Sequence, residues 1–172
     1  MIATLIKFVL SNFTLTFLVI GLVFSLVAIA RAAKPVSAAV VVEKLISWHV
    51  FFAIGVSYLY NFVMHVFFGK MAAAFIGWAD SPFQFEVGTA SLGFAVVAFI
   101  AAFASFELRL AAILGPSIFT LGAAVGHVYQ MVEAHNFAPG NAGVIFWTDI
   151  VIPLFGFVLL FLQWRLGKPA RP

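Results

Sequence analysis

The chain has 172 residues, of which 65% are hydrophobic and 9% charged. A soluble domain carries about 25% charged residues, so this much apolar surface excludes an ordinary water-soluble globule and names lipid as the solvent. The net charge of +3 rests on few side chains near segment ends, which points to membrane orientation rather than nucleic-acid binding. Cysteine is absent, which excludes disulfides, thiolate metal sites and thiol nucleophiles.

A membrane-crossing helix needs about 20 apolar residues, and five stretches qualify: 8–30, 45–69, 82–106, 110–134 and 142–164. The first run is too long for the apolar core of a signal peptide and reads as a retained anchor, its stronger positive flank (Arg31, Lys34) following it. RAAKPVSA breaks the chain before the second span. GKMAAAFIGWADS follows that span, and its FIGWAD part reads as a short interfacial or re-entrant segment. Ser81, Pro82 and Gln84 then read as N-cap, first helical residue and capping-box partner of the third span. FELRL reads as a tight charged turn before the fourth span, and HNFAPGN as a loop before the fifth, which Asn141 could cap. The expected fold is an all-α integral membrane protein, a bundle of five transmembrane helices in one domain with a short tail at 165–172.

With five spans, Arg31, Lys34, Lys44, Arg109, Arg165, Lys168 and Arg171 fall on one side and only Lys7 and Lys70 on the other. That asymmetry places the C-terminus in the cytoplasm and the N-terminus in the periplasm. Trp48 and Trp164 then mark the inner interface, and Trp78 and Trp147 the outer.

Polar side chains inside the spans carry the functional expectation. At about 1.5 Å per residue, Glu86 and His65 sit about 6 Å below the outer helix ends, Asp149 about 10 Å and His127 about 12 Å. Gln130 and Glu133 fill the turns above His127, while the inner half holds His49 at its edge and almost nothing else. Ionisable groups inside a membrane are costly and mark a site by default. Tyr58, Asn61 and His65 share one helical face, and Gly122 and Gly126 form a GxxxG beside His127 that would admit a close helix neighbour. Pro153 cannot donate to the carbonyl of Asp149, which loosens the backbone there.

Several functions fit these residues. His65, Glu86, His127 and Asp149 have the ligand chemistry of a divalent metal site, with Tyr58, Asn61, Gln84 and Gln130 lining a pocket for a metal ion or small polar ligand. His65 and His127 could instead hold a haem, although their depths differ. The same cluster could serve proton-coupled transport, an option weakened by the empty inner half. The chain could also be an accessory subunit of a larger respiratory or photosynthetic membrane complex, or a homo-oligomer. Each residue has a structural use as well: a cap for Gln84, a helix-dipole partner for Glu86, a bundle hydrogen bond for His65 and Tyr58. Hydrolysis is not expected, because no Cys and no GxSxG is present.

IGWADSPFQFEVG, GAAVGHVYQM and NFAPGNAGVIFWTDIVIPL, taken together, resemble a family of small bacterial integral membrane proteins known only as a domain of unknown function. The resemblance covers the second to fifth spans and rests on Gly77-Trp78, Ser81-Pro82-Phe83-Gln84, Glu86, Gly88, Asn141, Gly143, Asp149 and Pro153. It implies a stand-alone multi-span protein of the inner membrane whose outer-face motifs belong together.

Overall fold

A computed structural model of the chain describes residues 2–167, and those residues are helical apart from short connecting segments. The order is α1 (Ile2–Ser11), α2 (Phe13–Ala30), α3 (Ala38–Trp48), a π-helical stretch (His49–Val56) running on into α4 (Ser57–Phe67), α5 (Gly69–Ile76), α6 (Phe83–Ala101), α7 (Phe106–Glu133), α8 (Pro139–Ala142) and α9 (Val144–Leu166). Among the described residues, five helical units are long and apolar enough to cross a membrane: Phe13–Ala30, Ala38–Phe67, Phe83–Ala101, Phe106–Glu133 and Pro139–Leu166. Lys168, Arg171 and the rest of the expected tail lie outside the described residues.

The five units agree with the five expected spans, but their ends differ for identifiable reasons. The first span is bent at Asn12, whose backbone leaves the helical region, so the apolar run divides into α1 and α2. The second begins earlier than expected because the Ser37 side chain accepts from the Val40 amide and caps α3. FELRL is not a turn. It forms the first turn of α7, and the chain reverses before it, at residues 102–105. The capping box at Ser81 does not form either: α6 starts at Phe83 without a side-chain cap, and Gln84 points elsewhere. Asn141 likewise caps nothing; α9 starts after Gly143.

Small residues let the helices approach. A methyl on Gly88 of α6 would lie 2.5 Å from Val66 Cγ2 on α4. The GxxxG on α7 makes no such contact: among the described residues, a methyl added to Gly122 would meet nothing within 4 Å, and one added to Gly126 would meet only the Trp78 ring, at 3.9 Å. The core is a column of Ile46, Val50, Ile54, Ala95, Ala98, Ile113 and Leu159, surrounded by phenylalanines. α5 ends at Gly77, whose φ of +77° is open to glycine at little cost, and the chain there turns Trp78 back toward the bundle.

The up-and-down path gives the bundle two ends. One gathers α5, residues 77–82 and 134–143, and is called here the Trp78 end. The other gathers residues 31–37 and 102–105 with the C-terminus of α9, and is called the Arg109 end.

Candidate functional site

Asn141 is the hub of the Trp78 end. It is completely buried (0% exposed). Its side-chain nitrogen donates to the carbonyls of Asn136 (2.9 Å) and His127 (3.2 Å). Those two bonds fix the amide orientation, so Oδ1 is an acceptor. It accepts from Trp78 Nε1 at 3.1 Å and pairs with His127 Nδ1 at 2.7 Å. His127 Nδ1 therefore carries a hydrogen. The other ring nitrogen, Nε2, faces Asp149 Oδ2 at 3.6 Å, and both side chains are buried. A bare lone pair facing a carboxylate would repel, so the pairing is attractive only when a proton resides on one of the two atoms. A proton on either atom would make this a favourable link between helices α7 and α9.

A cavity of about 840 Å³ opens beside this pair. His127 and Asp149 form one part of its wall, Tyr58, Asn61 and His65 of α4 another, and Gln84 of α6 a third. His65 Nδ1 and Gln84 Oε1 are hydrogen-bonded at 2.5 Å. Asn61 donates to Ser91 Oγ (2.9 Å), and the buried Tyr58 hydroxyl donates to the Pro116 carbonyl (3.1 Å). Thr14 of α2 and Thr148 of α9 share a hydrogen bond at 2.7 Å, closing the wall on a further side. Most of the remaining lining is apolar, and it descends to Ala53, Ser117 and Pro153 at mid-bundle.

The expected metal set does not assemble. Among the described residues, no group of three or more His, Cys, Asp or Glu could hold a metal ion. His127 and Asp149 meet, and His65 instead meets Gln84. Glu86 is exposed and outside the cavity wall, two residues beyond Gln84 and so on another face of α6. Gln130 is also outside it. Because both ring nitrogens of His127 are directed at Asn141 and Asp149, neither is free to ligate a haem iron in this arrangement.

The inner half is not empty, contrary to expectation. Arg109, read as a loop cation, is 1% exposed and makes a bidentate pair with Glu43, both contacts 2.7 Å. It also donates to Ser47 Oγ (2.9 Å) and the Ala102 carbonyl (3.0 Å), and Gln163 Nε2 donates to Glu43 (3.1 Å). α3, α7 and α9 are tied together at that end, and nothing in the local sequence pattern pairs residues 66 positions apart.

The model of a family of unknown function, DUF6790, matches residues 11–169. The chain belongs to that family. The DUF6790 match reaches back through the first span, which the motifs alone did not cover. No curated protein and no solved structure gives a significant match. Both polar clusters, and the cavity wall apart from Lys7 and Leu10, therefore lie inside the matched region.

Proposed function

We propose that this DUF6790 protein is a multi-span membrane protein that binds a membrane-soluble amphipathic small molecule in the cavity at the Trp78 end. The observation that carries this reading is the composition of the wall: a largely apolar volume of about 840 Å³, with a few polar groups placed together on its sides. Small-molecule sites have volumes of about 300–1,000 Å³ and this same balance of apolar lining and a few orienting polar groups. The apolar body of the ligand lies toward Ala53 and Pro153, and its polar end lies at the level of the His127–Asp149 and His65–Gln84 pairs.

Trp78 lines the cavity and reports on it. Protein purified in mild detergent is expected to release a lipid-soluble compound on solvent extraction, in about equimolar amount by mass spectrometry. Adding that compound back to stripped protein is expected to change Trp fluorescence saturably. Ala123→Phe, which places a ring in the cavity one turn before His127, is expected to weaken binding at least about tenfold. No extracted compound, or binding untouched by Ala123→Phe, would reject the cavity as the site.

The Trp78 end is assigned to the periplasm and the Arg109 end to the cytoplasm of a bacterial inner membrane. Arg109 is consumed in its ion pair, yet Arg31, Lys34, Lys44 and Arg165 still outnumber Lys7 and Lys70. Since the chain has no native cysteine, single substitutions test this directly. Ala79→Cys is expected to react with a membrane-impermeant maleimide in intact cells, and Ala33→Cys only after lysis; the reverse pattern inverts the topology.

A further inference from the structure

His49 lies at the start of the π-helical stretch, between the two polar ends of the bundle. It is 3% exposed, and neither of its ring nitrogens has a hydrogen-bond partner among the described residues. Its neighbours are apolar: the Phe155 ring packs edge-on at 5.2 Å, and a methyl added to Gly156 would approach Nε2 to 3.2 Å, with Ile113 beside it. A glycine at 156 is what leaves room for the ring. Burying two unpaired imidazole nitrogens in such a setting is costly, and a π-helical turn is frequent where function overrides packing.

The position of the ring matters more than its cost. The cavity floor at Ala53, Ser117 and Pro153 is one helical turn from His49, Ile113 and Gly156 respectively. On the other side, Glu43 is six residues back along the same helix, about 9 Å by helical rise, and Arg109 is one turn before Ile113. Within residues 13–30, 45–64, 87–106, 110–126 and 150–164, His49 is the sole Asp, Glu, His, Lys or Arg. An imidazole passes a proton by accepting it on one nitrogen and releasing the other nitrogen's proton, each across a hydrogen bond to a water or side chain that comes and goes, so neither nitrogen can be locked to a fixed partner. His127 has both engaged; His49 has neither engaged.

We propose that His49 is the relay of a proton path through the bundle, from the cavity beside the His127–Asp149 pair to the Glu43–Arg109–Gln163 cluster at the opposite end, so that the protein moves protons across the membrane. Protons enter through the cavity, pass the buried hydroxyls of Ser117 and Tyr58 on its lower wall, and reach His49. From there they leave toward Ser47 and the Glu43 carboxylate. The steps are proton transfers only, with no net change at any residue after one turnover. Where the cavity is occupied, the ligand stands over the entrance, and flux falls.

The test uses the full chain in liposomes containing a trapped pH-sensitive dye, with a potassium diffusion potential imposed by valinomycin. Wild-type vesicles are expected to acidify well above protein-free vesicles. His49→Phe and His49→Gln are expected to return the rate to that background, while His135→Gln, at an exposed position, keeps the wild-type rate. Size-exclusion profile and circular dichroism confirm that each variant is folded. No flux with wild-type protein overturns the proposal whatever the variants do, and so does flux that survives in a folded His49→Phe protein. Either failure leaves ligand binding at the cavity intact, because that is read by Trp78 fluorescence rather than by flux.

Discussion

Arg109→Ala is expected to lower the stability of the protein by about 3 kcal/mol, at the lower end of the 3–5 kcal/mol typical of removing one partner from a buried ion pair. The guanidinium reaches Glu43 through two bonds of 2.7 Å and also satisfies Ser47 and the Ala102 carbonyl. Its removal leaves Glu43 with the Gln163 hydrogen bond at 3.1 Å as its remaining side-chain hydrogen bond among the described residues. The Glu43 side chain keeps 26% of its surface exposed, so water recovers part of the loss, which sets the estimate low. Arg109→Lys restores the charge but not the planar fork, and is expected to recover less than half of the loss. The measurement is reversible unfolding in mixed micelles, followed by Trp fluorescence. A double-mutant cycle with Glu43→Gln separates the pair from its surroundings. The double variant is expected to be clearly more stable than the sum of the single losses predicts, because neutralising Glu43 removes the orphaned charge. Strict additivity would mean that the two charges do not interact.

Arg109 also shows where sequence reading stops. The five spans follow from hydrophobic length alone, because each spanning segment must satisfy its own backbone, whatever its neighbours. Arg109, by contrast, sits in FELRL with the look of a loop cation, and its partner is 66 residues away. Depth was readable from helical rise; direction around the helix was not. Gln84 and Glu86 stand at nearly the same depth on α6, yet Gln84 faces the cavity and Glu86 faces out. Two residues rotate a side chain by about 200° on a 3.6-residue helix, and which of the two points inward depends on packing against α4. The same ambiguity governed the amides. Gln84 and Asn141 have the side chains that cap helix ends, so local pattern assigns them to caps. The fold spends them on His65 and His127, bonds that only the tertiary arrangement reveals.

Asn141→Ala is expected to cost about 3 kcal/mol and to disable the site. Four hydrogen bonds depend on this one amide. Each is worth about 1 kcal/mol net, and a buried group left unpaired costs about 1–3 kcal/mol. The His127 Nδ1 hydrogen would lose its acceptor, on a ring that is largely buried. Freed of that bond, the ring no longer has its proton fixed on Nδ1, and the pairing of Nε2 with Asp149 loses its orientation. Asn141→Asp separates the two roles of the amide. It keeps an oxygen for Trp78 and His127 but turns a second oxygen toward the carbonyls of Asn136 and His127, where two acceptors repel. It is therefore expected to be destabilised while His127 remains protonated at Nδ1. Nitrogen-15 spectra of histidine-labelled protein read the difference: the His127 Nδ1–H signal should persist in wild type and Asn141→Asp and shift or exchange away in Asn141→Ala. Ligand-induced quenching of Trp78 should vanish in Asn141→Ala, because the indole loses the bond that holds it against the cavity. If Asn141→Ala kept the Nδ1–H signal, some other group would be fixing the ring, and the pairing of His127 with Asp149 would lose its structural basis.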